Sequence, residues 1–265
     1  MTQPNQHLKF AHEIALKAGQ VMLEYFQIGV PFESKADNSP LTAADLAINQ
    51  LVLEAVQSAY PRASFIGEEG SRVRPDAEYT WVCDPIDGTI PFTLGVPASL
   101  FSLALVQDGQ PVVAILYDPY LQRSYEAIHN KGAFINGEPL HVSHTDHLTN
   151  QRLALPNSND ASIKAGTLIA EAMERYNSSL LAIGSATYES ALVATGQIVG
   201  AMYPWTSPWD MAAVKLIVEE AGGKVTDLRG HEQRYDGEIN GAIVSNGRVH
   251  EQMVELVKPH LKLPV

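Results

Sequence analysis

The apolar pattern of this chain changes character at about residue 150, and that change restricts the fold more than any single motif. Before it, residues 99–107, 112–117 and 122–128 form three apolar runs separated by short turns, Asp108-Gly109 and Asp118-Pro119. Runs so closely spaced read as neighbouring antiparallel strands, and Asp-Gly is a strong hairpin signal because both positions tolerate positive φ. Residues 131–137 add a small hairpin-like piece. After residue 150, strand patterns at Arg152–Leu155, Leu180–Ile183, 199–203, 223–227 and 241–245 alternate with helical patterns at 161–176, 186–196, 209–221 and from Arg248. A meander followed by alternation predicts two packed α/β lobes. We place the division at 1–145 and 146–265.

The start of the chain is helical. Leu8, Ala11, Ile14, Ala15, Ala18, Val21, Met22 and Tyr25 recur at three- and four-residue steps. A polar stretch from Glu33 to Pro40 interrupts the pattern. A second helix opens at Thr42, a suitable N-cap, runs through Leu46, Leu51, Leu53 and Val56, and ends before Pro61. Short strands follow at Ser64–Ile66 and Tyr79–Cys83, each leading directly into an acidic turn.

Three acidic segments carry the chemistry: Ile66-Gly67-Glu68-Glu69-Gly70, Cys83-Asp84-Pro85-Ile86-Asp87-Gly88-Thr89 and Ser207-Pro208-Trp209-Asp210. In the second, Pro85 fixes its own φ and biases the preceding residue away from helix, so a compact turn can aim Asp84 and Asp87 into one space. The Ile86 carbonyl is left as a third oxygen. Gly88 allows close backbone approach, and Thr89 offers an amide and a hydroxyl at a helix start, which suits a phosphate. Clustered hard oxygens without His or Cys favour Mg2+ or Mn2+ over zinc. Each segment also has an ordinary use: Asp-Gly as a turn, Glu-Glu as a solvated loop, Asp210 as a helix cap. Their joint placement at the ends of strands and the start of a helix, where rigid elements can hold a metal shell, favours the functional reading.

Together these segments resemble the inositol monophosphatase family of Mg2+-dependent, lithium-sensitive phosphatases. Glu68-Glu69 is similar to the family's G-E-E motif, Asp84 to Thr89 to its D-P-I-D-G-T motif, and Trp209-Asp210 to its W-D motif. Glu220-Ala221-Gly222-Gly223 and a Thr42/Asp45 pair also fit. The resemblance runs from Lys35 to Ser245. It implies a layered αβαβα two-lobed sugar-phosphatase fold of mixed α/β (α+β) class, with the site between the lobes. It assigns Glu68, Asp84, the Ile86 carbonyl, Asp87 and Asp210 to two or three Mg2+ ions, with Mn2+ as a substitute. It assigns Thr89, paired to Asp45, and Glu68 to orienting and deprotonating the attacking water. Phosphate and substrate contacts fall to Asp87, Gly88, Thr89, Gly184, Ser185, Ala186, Tyr203 and Asp210. The implied reaction is hydrolysis of a small-molecule phosphate monoester, by a homodimer. Histidinol phosphatase and 3′(2′),5′-bisphosphate nucleotidase are the alternatives, and a sugar-phosphate or metal-binding relative without turnover is the non-enzymatic one.

The resemblance departs in two places. Thr89-Ile90-Pro91-Phe92 stands where the family continues T-N-F, and Tyr203 stands where inositol and histidinol phosphatases carry a substrate-binding Glu. A tyrosine there points to a flatter or more apolar leaving group, unless Glu189 supplies the carboxylate. The loop from Lys35 to Asp45 is similar to that of histidinol phosphatases and bisphosphate nucleotidases.

Composition removes other classes. With 18 basic and 30 acidic residues the formal charge is −12, a poor match for nucleic-acid backbones or anionic membranes. One cysteine, Cys83, excludes an internal disulfide and a multi-cysteine zinc site, and reads as packing. The beginning MTQPNQHLKF lacks a secretory pattern and no apolar run reaches bilayer length, so the expected location is cytoplasmic. No P-loop, G-x-G-x-x-G or paired-histidine zinc motif is present.

Overall fold

The computed structural model describes residues 4–35, 40–155 and 163–262. The polar residues 36–39 and the first two residues of the 161–176 helical pattern lie outside the described residues. Two helices open the chain, α1 (Pro4–Tyr25) and α2 (Ala43–Ala59), joined through a two-residue ladder of β1 (Glu33–Ser34) with β2 (Pro40–Leu41). A seven-stranded sheet follows: β3 (Ser64–Gly67), β4 (Tyr79–Asp87), β5 (Leu100–Gln107), β6 (Gln110–Asp118), β7 (Arg123–Ile128), β8 (Ala133–Ile135) and β9 (Glu138–Pro139) in sequence order, with the short helix α3 (Thr89–Thr93) between β4 and β5. The β3/β4 pair is parallel and the rest antiparallel. Asp108 and Gly109 both have positive φ, as the hairpin requires.

The second half forms a five-stranded sheet of order β11-β10-β12-β14-β13. Its strands are β10 (Arg152–Ala154), β11 (Ser179–Leu181), β12 (Gly200–Tyr203), β13 (Lys224–Thr226) and β14 (Ala242–Ser245). Four helices accompany it: α4 (Ala165–Tyr176), α5 (Ala186–Ala194), α6 (Pro208–Glu220) and α7 (His250–Val257). The β10 pairings are parallel, and β14 runs antiparallel to β12 and β13.

Alternation along the strands sorts side chains into three cores. Trp81, Cys83, Phe101, Leu103 and Ile115 face α1 and α2, where Ile14, Ala18 and Ile48 meet them. Val82, Ala104 and Leu116 face the other way, onto α5 and α6, and the same core continues to Ala201, Val225 and Val244 of the smaller sheet. Leu153, Val199 and Ile243 close the far side against Leu168 of α4 and Met253 and Leu256 of α7. Each such fully buried apolar side chain contributes roughly 1.5–3 kcal/mol of transfer free energy. The layering is therefore αβαβα, as the resemblance implies. Helix α6 sits between the two sheets and is buried on every side from Met211 to Val218, which explains why its sequence is apolar throughout. Lys215 is the exception inside it. Its ammonium meets Glu219 at 2.6 Å and Glu232 at 2.5 Å and donates to the Val225 carbonyl at 3.1 Å. Among the described residues no helix is long and apolar enough to cross a membrane.

Candidate active site

Strand β4 delivers two carboxylates from the sheet. It pairs with β5 as far as Asp84 opposite Ser102, then shifts register before Asp87 meets Leu100. The sequence predicts a strand ending at Cys83 and a free turn. Pro85 instead falls in the irregular stretch of the ladder, where its missing N–H costs no sheet hydrogen bond. Asp84 Oδ1 accepts the Ile86 amide at 2.9 Å, which fixes the bend between the two acids. Gly88 follows with φ +87°, and a Cβ there would lie 2.8 Å from the Ser185 Cβ and 3.0 Å from the Ala98 carbonyl oxygen. Only glycine fits, and α3 starts at the next residue.

Asp87 is held from the other half of the chain. Its Oδ2 accepts the Thr187 amide at 2.8 Å, the Thr187 hydroxyl at 2.6 Å and the Ser185 hydroxyl, while Oδ1 accepts the Ala186 amide at 3.3 Å. These donors belong to the first turn of α5, where backbone N–H groups have no helical partners. Asp210 occupies the third position of α6 in a capping box: its Oδ2 accepts the Ser207 amide at 2.7 Å. The Ser102 hydroxyl donates to the Trp209 carbonyl at 3.2 Å and fastens that helix start to β5.

Each of Asp84, Asp87 and Asp210 places a carboxylate oxygen within 4.8 Å of the others. Burial, followed by the charges of Glu68, Asp87 and Asp210, pushes the Asp84 carboxyl well above the usual range. Burial and the neighbouring Asp87 push Asp210 up to about 8. Asp87 is also raised by burial, although its four donors pull the other way. Three carboxylates gathered out of water repel one another, and an all-oxygen set is what a hard divalent ion takes.

Glu68 stands beside this group rather than in it. Its Oε1 accepts a hydrogen bond from Lys35 Nζ at 2.6 Å, and the same ammonium binds Glu69. Burial raises the Glu68 carboxyl. The expected Thr89–Asp45 pair is not formed. The Thr89 hydroxyl donates to the Ile86 carbonyl at 3.1 Å, which uses one of that oxygen's two lone pairs. Asp45 closes a capping box at the start of α2, its Oδ2 accepting the Thr42 amide at 2.8 Å and hydroxyl at 2.6 Å. Its Oδ1 is buried without a partner, and burial raises the carboxyl to about 6.

On the substrate side, two residues point differently from the expectation. Tyr203 turns its hydroxyl inward, donating to the Ala186 carbonyl at 3.0 Å and meeting the Ser190 hydroxyl at 3.2 Å. It braces α5, and burial followed by the charges of Glu189 and Asp87 pushes its hydroxyl well above the usual range. Glu189 is buried, and its Oε1 accepts the amides of Ile183 at 2.7 Å and Gly184 at 3.2 Å. Gly184 has φ +87°, so this turn again needs glycine. Ser185 and Ala186 direct their donors at Asp87. A cleft of about 1000 Å³ opens from Glu68 and Asp210 toward Trp205, Arg229, His231 and Asn240.

Sequence reasoning missed the Lys35 bridge and the grip of Ser185 and Thr187 on Asp87. The first joins residues 33 and 34 apart, the second residues 98 and 100 apart, and no local signal marks either. A hydroxyl pair at a helix start, Ser185-Ala186-Thr187, was the only available hint.

A sequence model of the inositol monophosphatase family matches residues 3–262. Histidinol-phosphatase of Chlorobaculum parvum is 32% identical, covering 94% of this chain and 96% of that protein. The fructose-1,6-bisphosphatase/inositol-1-monophosphatase of Thermotoga maritima is 30% identical, covering 94% and 95%. Among solved structures, a Thermotoga maritima IMPase superposes with a TM-score of 0.86 at 28% identity, covering 96% of this chain and 97% of that one.

Proposed function

The chain belongs to the inositol monophosphatase family and is a phosphoric monoester hydrolase, and from that premise we propose that it is Mg2+-dependent, with two or three ions, replaceable by Mn2+, held by Glu68, Asp84, the Ile86 carbonyl, Asp87 and Asp210. The observation that carries this reading is the meeting of Asp84, Asp87 and Asp210 within 4.8 Å, from two distant stretches of chain. The donor set fits the ions: every atom is a hard oxygen, and three carboxylates crowded together out of water are an environment that a divalent cation stabilises. When bound, the ions supply Lewis-acid stabilisation of the phosphoryl oxygens and a lowered pKa for water.

The chain's own residues do the rest. Amides of Gly88 and Thr89 hold the phosphate, with Gly184, Ser185 and Ala186 beside it, and Asp87 is kept rigid by Thr187. The Asp45 Oδ1, which has no partner, is the acceptor for the Thr89 hydroxyl once that hydroxyl leaves the Ile86 carbonyl. Thr89 and Glu68 then orient the attacking water and take its proton. The water oxygen bonds to phosphorus as the ester P–O bond breaks in line, and the proton taken from that water passes through solvent to the leaving alkoxide. No covalent enzyme intermediate is involved.

We assign the protein to the cytoplasm as a lithium-sensitive homodimer acting on a small-molecule phosphate. Histidinol phosphate is the second substrate reading, supported by the Chlorobaculum parvum relative. The deciding experiment is phosphate release from inositol, histidinol, fructose bis-, nucleotide bis- and glycerol phosphates, with and without Mg2+ and with millimolar-range Li+. Turnover that survives chelation of divalent ions overturns the metal assignment.

A further inference from the structure

A second depression lies at the far end of α6 from Asp210, about 15 Å along the helix at 1.5 Å per residue. We propose that it is an anion site, in which His141, His144 and Arg248 hold a small organic molecule through its phosphate or carboxylate group. The site is separate from the acidic cleft and stands whether or not the chain hydrolyses phosphate esters.

Three distant stretches of chain meet there, and named contacts fix them. The Val142 amide donates to the Ala221 carbonyl at 3.1 Å, which joins the segment after β9 to the end of α6. Asn246, only 1% exposed, clamps the same segment from the end of β14. Its Nδ2 donates to the Ser143 hydroxyl at 2.9 Å and to the Thr145 carbonyl at 2.7 Å. Its Oδ1 accepts the amides of Arg248 and Val249, both at 3.1 Å. Gly247 has φ +78°, and a Cβ there would lie 3.3 Å from the Gly222 carbonyl oxygen, so glycine suits the turn. One buried amide therefore sets the backbone on both sides of His144 and under Arg248.

The depression holds about 340 Å³, in the lower part of the roughly 300–1,000 Å³ that small-molecule sites occupy. Its walls carry His141, His144 and Arg248 and no acid, in a chain with 30 acidic and 18 basic residues. All three side chains are exposed, and none pairs with a carboxylate among the described residues. A guanidinium has five N–H donors and no acceptor, and a neutral imidazole still keeps one N–H. Such walls offer donors to an oxyanion, and the guanidinium fork matches phosphate and carboxylate alike. Val142 and Gly222 add an apolar floor for the organic part of the ligand. Two imidazoles also suit a transition metal, but a guanidinium beside them opposes a cation. Among the described residues no third metal ligand joins them.

The test follows the imidazole signals of the nine histidines by NMR in the metal-free protein, after the chelator has been removed. His141 and His144 report on this depression, and His231, which lines the acidic cleft, reports on the other. The probes are glycerol 2-phosphate and succinate. At least one should shift His141 and His144 saturably while His231 stays in place, and the tighter binder identifies the anionic group. Arg248→Ala should weaken that binding about tenfold and leave the melting temperature without probe unchanged. His144→Ala should weaken it as well. Any one of four results overturns the site. These are no saturable shift with either probe, unchanged affinity in Arg248→Ala, a His231 shift at the same midpoint, or the same shifts with sodium chloride at matched ionic strength.

Discussion

The amide and hydroxyl of Thr187 both donate to Oδ2 of Asp87, at 2.8 and 2.6 Å, across 100 residues of sequence. The contact ties the last residue of β4 to the first turn of α5, so one carboxylate's orientation depends on how the two halves pack. Thr187→Val keeps the side chain's shape and removes the hydroxyl donor. Groups that orient a metal ligand typically change affinity by about 10- to 100-fold when lost. We expect Mg2+ affinity, measured by titration calorimetry, to fall within that range while circular dichroism stays native. Wild-type affinity in this variant would show that the packing of α5 alone holds Asp87.

Asp84→Asn and Asp87→Asn test the acids directly. Each replaces a charged oxygen donor with a neutral amide of the same size, so the sheet and the register shift survive while the ligand set does not. Turnover should drop to background at saturating Mg2+ in both; without metal the melting temperature should be at or above wild type for Asp84→Asn and lower for Asp87→Asn, whose NH2 group faces a donor that Asp87 accepts. Near-wild-type activity in either one sinks the assignment.

The same crowding makes a pH prediction with a definite sign. Burial and the charge of Asp87 raise the Asp210 carboxyl to about 8 in the folded protein, whereas an unfolded aspartate titrates near ~3.9. A group whose folded pKa is raised gives its full stabilisation below the unfolded value. That stabilisation is lost as pH rises through the folded one. Asp84 is raised for the same reasons, so it acts in the same direction. The metal-free protein should therefore melt at a lower temperature at pH 8.5 than at pH 6, and Mg2+ should raise the melting temperature more at pH 8.5. Thermal scans at both pH values, with chelator and with Mg2+, check this. A metal-free protein that gains stability across that interval contradicts the clustered-acid account.

How much of this was legible in the chain divides along physical lines. The hairpin at Asp108-Gly109, the strands around it and the N-cap at Thr42 follow from local backbone preferences, and they form as read. The continuation of β4 through Pro85 to Asp87 was not readable, because proline argues against a strand unless a register shift absorbs it. Tyr203 was placed on the substrate side by its position before Trp209-Asp210. The fold turns its hydroxyl toward the Ala186 carbonyl, a partner 17 residues earlier that only tertiary packing supplies. Acid types and spacings single out Asp84, Asp87 and Asp210, which the fold brings within 4.8 Å of one another, but which donors hold Asp87 is decided by the meeting of α5 with β4.

Glu189 separates a supporting role from a substrate contact. A glutamate on a short helix reads from sequence as a solvated side chain or a substrate ligand. Here it is buried, and its Oε1 accepts the amides of Ile183 and Gly184 in the turn that leads to Ser185, Ala186 and Thr187. Glu189→Ala leaves two amides without acceptors and loosens the turn that grips Asp87. Unmaking hydrogen bonds to a buried carboxylate costs about 1.5–3 kcal/mol each. The melting temperature should fall, and kcat/KM should fall by a similar factor for every phosphate ester tested, because the loss acts through Asp87. A selective loss, confined to esters with a hydroxyl or amine near the phosphate, would instead identify Glu189 as a substrate ligand.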